Sequence, residues 1–579
     1  MNLFNIYRDA VTSVVHSVFP SVDLSKLTLE PPREASHGDL STNVAMILPP
    51  QLGKKPRDIA EAIKPGLEKI EGVLKVEIAG PGFINITLDT SVWRKVLPII
   101  LQQGTAFGDS TMGTAAGKIN VEYVSANPTG PLHIGHARGA IYGDALARLL
   151  QKAGYDVTKE YYVNDAGGQV EVLAKSAYLR YREACGEHIG EIPEGLYPGD
   201  YLKAAGQAIK AQLGENVKEN DPRMARIAID AMMTLIKNDL ADLDIFHDVF
   251  TSEAKLHADK MVDKAIEKLK VGGHIYRGVL EAPKGETPED WEAEEQLLFR
   301  ATEFGDDSDR TVEKANGART YFAGDLGLTL DKTQRGFTTL IYMFGADHGG
   351  YVKRMEAMTV ALSDKKASVD IKLCQMVHLF KNGEPVRMSK RAGNFVTVRD
   401  VLDEVGKDIL RFVMLMRKTN QDMEFDFEKV KEQSKENPVF YVQYAHARCK
   451  SLLRMAEEQM PQIFTSPQGG SCGLDIPDFS LLNHPAELAL IKKLAEWPRQ
   501  VEQAAAAHEP HRITYYLQEL AGAFHGLWNV GATDTQIRFI LAEAPQQTAA
   551  RLALARAMAN VVASGLAVCG VQPVEELRG

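Results

Sequence analysis

Two histidines three residues apart, His133 and His136, lie downstream of a strand-like run at 121–124. Residues three apart on a helix share a face, so both imidazoles would lie on the first turn of a following helix. Free N–H groups at a helix start favour phosphate, and Gly135 between the histidines lets a nucleotide approach closely. The spacing therefore predicts a site for nucleotide phosphate; the alternative is a pair of surface histidines around a turn glycine.

A basic run lies far downstream, at 387–394, and reads Arg-Met-Ser-Lys-Arg-Ala-Gly-Asn. Most charge runs are solvated surface loops, and that alternative stays open here. A loop with three basic residues and a glycine could instead neutralise charge that develops on a departing pyrophosphate, with Lys390 as the point charge. Together the two segments indicate chemistry at the phosphates of a nucleotide.

The elements around the histidines indicate a parallel α/β unit. Apolar residues recur at helical spacing over 137–149, and Gly154 marks the end of that helix. A strand-like run at 155–163 follows, so strand, helix and strand form a βαβ unit. Another buried strand is predicted at 340–344. Ligands of such folds bind beyond the carboxyl ends of the strands, where the histidine turn would lie.

Hydrophobic periodicity and turn signals divide the chain into four predicted segments. In chain order they are an α+β unit, a Rossmann-type core with an insertion at about 176–315, a connecting region with the basic run, and a strongly helical region, covering residues 1–112, 113–367, 368–429 and 430–579. Pro498 is expected to kink or split a helix predicted at 486–507. With 579 residues, 45% of them hydrophobic, the chain can build several cores.

Composition argues against several classes of protein. No Cys-x-x-Cys pair occurs among the five cysteines, so neither a zinc site nor a disulfide framework is expected. The N-terminus lacks the layout of a signal peptide and no uninterrupted apolar run reaches membrane-spanning length, so a cytoplasmic protein is expected. The net charge of −11 does not favour RNA binding, but only one face must be basic, and basic residues are frequent at 411–450.

Several stretches resemble class I aminoacyl-tRNA synthetases, and arginyl-tRNA synthetases in particular. His-x-Gly-His at 133–136 and Met-Ser-Lys at 388–390 are the two class I signatures. The resemblance continues in order along the chain, at 37–43, 80–85, 162–169, 345–348 and 437–448. It implies a Rossmann-type class I catalytic core, an N-terminal α+β domain that contacts tRNA, and an all-α C-terminal anticodon-binding bundle.

The resemblance implies an arginine–tRNA ligase. ATP with Mg²⁺ would activate L-arginine to arginyl-adenylate, and the arginyl group would pass to the 3'-terminal ribose of tRNA-Arg. Members of this family usually need tRNA before they activate arginine. No zinc and no membrane are expected, and the chain is expected to be a monomer. One alternative is another class I synthetase, of which a cysteinyl enzyme would show zinc-ligand cysteines. A second is a small-molecule nucleotidylyltransferase, which also uses His-x-Gly-His but would not need a C-terminal helical domain. A third is a non-catalytic tRNA-binding paralogue, which would normally have lost one of the signature residues.

The resemblance also assigns site residues. The expected catalytic residues are His133, His136 and Lys390. The residues expected to contact ATP are His133, Gly135, His136, Asp347, His348, Met388, Ser389 and Lys390. Those expected to contact arginine are Glu122, Asn127, Tyr321, Asp325 and His348. Asp325 is the expected guanidinium partner, because a carboxylate matches its fork of N–H donors; the structural alternative is a helix-surface charge. The residues expected to contact tRNA are Asn43, Tyr441, Tyr444, His446 and Arg448. For Tyr441, Tyr444 and His446 the alternative is packing in the core around the first C-terminal helix.

Two positions depart from the family pattern. The first lysine of Lys-Met-Ser-Lys is Arg387 here, which keeps the charge but changes its geometry. After Asp325 the family usually carries Ala-Tyr-His, whereas this chain has Gly327, Leu328 and Thr329. Neither departure replaces a residue that is expected to bind arginine.

Overall fold

The computed structural model describes residues 1–280, 294–386, 396–434, 436–464 and 477–576. Within them the strands, in chain order, are β1 (Leu29–Glu30), β2 (Leu40–Thr42), β3 (Val73–Ala79), β4 (Phe83–Leu88), β5 (Lys118–Glu122), β6 (Val157–Val163), β7 (Val249–Ser252), β8 (Ile275–Gly278), β9 (Gln296–Phe299), β10 (Arg310–Glu313), β11 (Phe337–Gly345), β12 (Ser368–Cys374), β13 (Val377–Lys381), β14 (Glu384–Pro385) and β15 (Met423–Asp426). The α-helices are α1 (Leu3–Val18), α2 (Val44–Ile47), α3 (Pro49–Leu52), α4 (Pro56–Leu67), α5 (Thr90–Arg94), α6 (Val96–Gln103), α7 (Ile134–Lys152), α8 (Gly168–Ala184), α9 (Lys203–Leu213), α10 (Pro222–Asp242), α11 (Glu253–Ala258), α12 (Met261–Val271), α13 (Tyr321–Gln334), α14 (Val352–Leu362), α15 (Val398–Val405), α16 (Lys407–Met414), α17 (Phe427–Lys431), α18 (Pro438–Gln459), α19 (Pro485–Ala495), α20 (Trp497–Ala506), α21 (His511–Thr533) and α22 (Pro545–Cys569).

The N-terminal part of the chain is an antiparallel sheet with short helices, the α+β arrangement that its sequence predicts. Its strands lie in the order β1-β2-β4-β3, and each neighbouring pair is antiparallel. Helix α1 begins at Leu3 because the Asn2 side chain accepts hydrogen bonds from the backbone N–H groups of Phe4 and Asn5. The buried residues of α1 recur at helical spacing and face α4 and β1.

Five parallel strands form the central sheet, in the order β12-β11-β5-β6-β7. From β5 the chain continues to β6 on one side, whereas β11 continues to β12 on the other. The strand order therefore reverses between β5 and β11, where Tyr342 pairs with Glu122. A crevice forms at such a switch point, beyond the carboxyl ends of the two strands. This is the Rossmann-type core that the sequence predicts.

The predicted insertion at 176–315 is wrong in one respect, because it contains a strand of the central sheet. Strand β7 pairs in parallel with β6 at the edge of that sheet. It has four residues, all partly exposed, so it lacks the apolar run that marks a buried strand. Helices α8, α9 and α10, which pack on one another, precede β7 in the chain, and a separate antiparallel sheet of order β10-β9-β8 follows it. Strand β10 ends at Glu313, and Tyr321 is the first residue of α13.

The second half of the chain becomes helical after β15. Shortly before β15, Gly406 takes a positive φ of 78° that ends α15, and α16 begins at the next residue. The helix predicted at 486–507 is split into α19 and α20, as expected from Pro498. Helix α22 is long and apolar enough to cross a membrane, but its apolar stretch is 78% buried against the rest of the chain.

Buried polar contacts join the helical region to the rest of the protein. The Trp497 indole donates to Phe107 O at 2.8 Å. The guanidinium of Arg411 is fully buried, pairs with Asp144 on α7, and donates to Leu243 O and Cys569 O, both at 2.8 Å. Since α7 also carries the two histidines, this contact ties the helical region to the crevice.

Candidate functional site

The two histidines form the N-terminal cap of α7. His133 Nδ1 accepts the Gly135 N–H at 3.1 Å, and His136 Nδ1 accepts the His133 N–H at 3.3 Å. The two rings stack with their centroids 3.7 Å apart. A Cβ at Gly135 would lie 2.9 Å from His133 Cε1, so this packing requires glycine. The structure thus brings His133 and His136 together on the first helical turn, as their spacing predicts.

The backbone between β5 and this cap is strained. Val124 and Ser125 have positive φ angles of 70° and 38°, and residues other than glycine rarely adopt this backbone region. The Ser125 hydroxyl holds the turn, since it donates to Glu122 Oε1 at 3.0 Å and accepts the Tyr162 N–H at 3.0 Å. Strain of this kind costs about 1–3 kcal/mol per residue and concentrates at functional sites.

Glu122 lies at the carboxyl end of β5 and is buried. Its Oε2 accepts a hydrogen bond from Lys332 Nζ, and the ammonium lies 4.3 Å from the ring centroid of Tyr342. Burial disfavours the charge on Lys332, but the adjacent Glu122 carboxylate outweighs it and raises the pKa of Lys332 above its usual value. Both oxygens of Glu122 therefore have partners within the chain, so Glu122 anchors the strained turn.

Asp325 lies on α13 and is half-buried. Burial and the nearby carboxylates of Glu122 and Glu253 raise its pKa to about 7, against the opposing influence of Arg354. Within the described residues its carboxyl group has no hydrogen-bond or ion-pair partner. An uncompensated acid beside other acids is a site that favours a cation.

Glu253 is a candidate site residue that the sequence did not indicate. It is the first residue of α11, and its Oε1 lies 3.9 Å from the position of a Cβ at Gly324, the neighbour of Asp325. His257 Nε2 is 3.7 Å from Glu253 Oε1, while Asn164, with its amide turned to donate, is 2.7 Å from Oε2. Burial raises the pKa of Glu253. No motif marks Glu253. It directly follows β7, and only folding of the chain brings β7 beside β6 and so Glu253 to this site.

The Tyr162 phenol marks the centre of the acidic pocket. Burial raises its pKa well above the usual value, and Glu253, Asp325 and Glu122 raise it further, in that order. Asn127, which is exposed, has its side-chain amide 3.2 Å from that of Asn164. Three of the residues predicted to bind arginine, Glu122, Asn127 and Asp325, are thus gathered around one pocket.

The remaining residues predicted near the substrates lie at the same edge of the sheet. Tyr321 begins α13 one turn before Asp325, and its side chain is 89% exposed. Asp347 and His348 follow directly after β11, with His348 Nε2 3.7 Å from Asp347 Oδ2, and both are exposed. All three side chains are therefore accessible to a ligand.

Met388, Ser389 and Lys390 lie outside the described residues, and so does Arg387. The described chain that follows them is paired with the histidine turn. Ile134 N–H donates to Val396 O at 3.2 Å, and Val398 N–H donates to Leu132 O at 2.8 Å. The described residues Val396 and Val398 are therefore neighbours of the first class I signature, at the start of α7.

The residues predicted to contact tRNA have structural partners. His446 is 1% exposed and its Nδ1 lies 2.8 Å from Val574 O, so the prediction that it faces RNA is wrong for this conformation. The Asn43 side chain bonds the backbone of Thr28 and Lys26. Arg448 lies over the Tyr444 ring at 4.0 Å and donates to its hydroxyl at 2.6 Å.

The aromatic residues of α18 form a half-exposed stack. The Tyr444 ring lies 5.5 Å from that of Phe440 and 5.7 Å from that of His525, and the Tyr441 ring lies 4.5 Å from His525. Partly exposed rings of this kind can stack an unpaired base, so an RNA contact at Tyr441 and Tyr444 stays a prediction.

Comparisons with known families cover most of the chain. Four family descriptions match: "Arginyl tRNA synthetase N terminal domain" at 5–88, "tRNA synthetases class I (R), catalytic domain" at 97–195, "tRNA synthetases class I (I, L, M and V)" at 322–426, and "DALR anticodon binding domain" at 442–577. These descriptions confirm the predicted fold class, with its class I core, N-terminal domain and helical anticodon-binding region.

Two relatives that match over their full length are both named arginine–tRNA ligase. The chain is 53% identical to the arginine–tRNA ligase of Parvibaculum lavamentivorans and 54% identical to that of Ruegeria pomeroyi, over 100% of each chain in both cases. Its fold is similar to the solved Thermus thermophilus arginyl-tRNA synthetase, with a TM-score of 0.75 at 20% identity over 99% of this chain and 100% of that one. The resemblance read from the sequence is confirmed: the chain belongs to the arginyl-tRNA synthetase family, the arginine–tRNA ligases of class I.

Proposed function

We propose that this chain activates L-arginine with Mg²⁺-ATP and transfers the arginyl group to the 3'-terminal ribose of tRNA-Arg. The observation that carries the proposal is the Asp325 carboxyl group, which has no partner in the described chain and whose pKa is raised to about 7 beside two other acids. A pocket that holds such a group gains most from a ligand that is cationic and planar, as arginine is.

The pocket divides the recognition of arginine between its two ends. Asp325 binds the guanidinium, with Glu253 as a second carboxylate close beside it and Tyr321 on the preceding helical turn. Asn127, on the strained turn that Glu122 anchors, binds the α-amino end, and His348 approaches from β11. The acids exceed the cations in this pocket, so a neutral side chain of the same shape binds poorly.

ATP lies on the other side of the same turn. Gly135, His133 and His136 present the α7 start to the phosphates, since a helix N-terminus and imidazole N–H groups both stabilise anionic oxygens. Asp347 and His348 lie beyond β11, on the far side of the switch point. Met388, Ser389 and Lys390 complete the proposed set of ATP contacts, and the role proposed for Lys390 is to neutralise charge on the departing pyrophosphate.

The first chemical step needs no general base. The arginine carboxylate is already nucleophilic; it attacks the α-phosphorus, the bond between the α- and β-phosphates breaks, and Mg²⁺-pyrophosphate leaves. Positioning of the two reactants and stabilisation of charge carry this step. The terminal ribose hydroxyl of tRNA then attacks the carbonyl of the adenylate, loses its proton and displaces AMP.

The remaining properties follow from this chemistry. Carboxylates, imidazoles and one lysine suffice for binding and catalysis, so no zinc is required. All proposed residues of the pocket belong to one chain, so the pocket needs no second copy, and we propose that the chain acts as a monomer. Aminoacylation serves protein synthesis, so the site of action is the cytoplasm, apart from membranes.

The test is ATP–pyrophosphate exchange with the purified full-length chain, measured with and without tRNA-Arg. Exchange that depends on arginine, and that is strongest with tRNA present, supports the proposal. Exchange supported equally by lysine would show that the pocket reads a cation only, and the arginine assignment would fail. No exchange with any amino acid would instead support the non-catalytic paralogue.

A further inference from the structure

Two acids near the end of α10 contact the residue before the histidine cap and the first turn of α15. Asp239 and Asp242 are three residues apart, so they share one face of the helix. Asp239 is 5% exposed, and its Oδ2 accepts the Leu132 N–H at 3.1 Å. Asp242 forms an ion pair with Arg399, in the first turn of α15.

Leu132 directly precedes His133, and both backbone polar groups of Leu132 form hydrogen bonds. The Leu132 N–H donates to Asp239, and the Leu132 carbonyl accepts the Val398 N–H at 2.8 Å. The next residue, His133, forms an isolated antiparallel bridge with Thr397, which caps α15 by accepting the Asp400 N–H at 3.0 Å. The backbone before the histidine cap is therefore fixed from two sides.

We propose that Asp239 is a positioning residue for ATP, which holds the turn before His133 so that both histidines meet the phosphates. Asp239 acts through the Leu132 backbone and touches no substrate. The inference rests on the proposed contact of His133 and His136 with ATP.

The alternative role for Asp239 is purely structural, since a buried N–H that loses its acceptor destabilises any fold. The two roles differ in what they do to the substrates. A purely structural role lowers the stability and leaves both KM values alone in the folded enzyme. A positioning role raises the KM of ATP while the KM of arginine, whose pocket lies around Asp325 and Glu253, stays near that of the unmodified chain.

The test compares three variants of the full-length chain by arginine-dependent ATP–pyrophosphate exchange with tRNA-Arg. Asp239→Ala removes the acceptor, Asp239→Asn keeps an amide oxygen in its place, and Asp230→Ala is the matched control. Asp230 lies on the same helix but is exposed, and among the described residues its carboxylate pairs with Arg226, at 3.0 Å. Thermal unfolding of each variant, followed in parallel, shows that the chain is folded under the assay conditions.

Asp239→Ala is expected to lower kcat/KM for ATP about tenfold, as the loss of one buried hydrogen-bond partner predicts, and to change the KM of arginine less than about threefold. Asp239→Asn is expected to recover most of the loss, and Asp230→Ala to match the unmodified chain. If Asp239→Ala does not fold, Asp239→Asn and Asp239→Ser carry the same comparison. Equal effects on both substrates, or none on ATP, overturn the positioning role. Failure of the unmodified chain to exchange would instead overturn the proposed function.

Discussion

Arginine binding is expected to remove a proton from Asp325, and this gives the binding a pH dependence near neutrality. In the free chain, burial and the neighbouring carboxylates of Glu122 and Glu253 raise the pKa of Asp325 to about 7. Below that pH the group is largely protonated and cannot pair with the guanidinium as a carboxylate. Above it the carboxylate is present, and the bound cation holds it ionised. The kcat/KM for arginine is therefore expected to rise with pH and to level off above about pH 7.

The size of the effect follows from the proton count. One proton must leave before the ion pair forms, so kcat/KM for arginine falls by close to tenfold per pH unit below the pKa, or about 1.4 kcal/mol per unit. Asp325→Asn removes both the proton and the charge. We expect this variant to lose about 100-fold or more in kcat/KM for arginine, because it loses a charge-assisted pair in a buried site. The pH dependence of kcat/KM for arginine is expected to disappear with it.

The same shift makes a stability prediction of opposite sign. A carboxyl group whose folded pKa lies above its unfolded pKa binds protons in the folded state, so stability falls as pH rises from about 4 to about 7. The shift of about three units sets an upper limit of about 4 kcal/mol, which solvent around the half-buried group reduces. Asp325→Asn is therefore expected to unfold at a higher temperature than the unmodified chain at pH 8.

The assay is ATP–pyrophosphate exchange with tRNA-Arg at several pH values from 5.5 to 8.5, with arginine and ATP varied separately. The control variant is Asp331→Asn, on the same helix, where the partly exposed carboxylate pairs with Arg335 at 2.9 Å. The control should keep the pH dependence of the unmodified chain. The reasoning would be refuted if kcat/KM for arginine did not change with pH in the unmodified chain. It would also be refuted if Asp325→Asn raised the KM of ATP as much as the KM of arginine.

Three further substitutions test the pocket. Lys332→Met should destabilise the chain by about 3–5 kcal/mol in denaturant unfolding, because it leaves Glu122 as a buried charge without its partner; a loss below 1 kcal/mol would contradict the pairing. Gly135→Ala should raise the KM of ATP, since the added Cβ would lie 2.9 Å from His133 Cε1; an unchanged KM would show that the histidine packing does not matter for ATP. Glu253→Gln should raise the KM of arginine about tenfold and leave the KM of ATP unchanged, as loss of one charge-assisted hydrogen bond predicts. An arginine KM equal to that of the unmodified chain would show that Glu253 does not bind arginine.

The features that could be predicted from sequence are local ones. The histidine cap follows from the spacing of His133 and His136 and from the glycine between them, all within one helical turn. The split of the helix at Pro498 follows in the same way from one residue and its missing N–H. The predicted fold class needed in addition the order of motifs along the chain, which carried the family resemblance.

The features that escaped prediction are long-range ones. Glu122 and Lys332 are 210 residues apart in sequence, and neither residue shows that the other will neutralise it. Strand β7 is short and partly exposed, so it shows no pattern, yet it delivers Glu253 to the pocket. His446 gave a misleading signal, because a histidine on a predicted RNA-binding helix can equally pack against the C-terminal backbone.

The most direct test of arginine recognition is a crystal structure of the full-length chain with a non-hydrolysable arginyl-adenylate analogue. The account predicts the guanidinium within hydrogen-bond distance of Asp325, about 2.7–3.2 Å, and the adenylate phosphate at the start of α7 beside His133 and His136. A guanidinium bound away from α13, with Asp325 still without a ligand contact, would contradict the central claim.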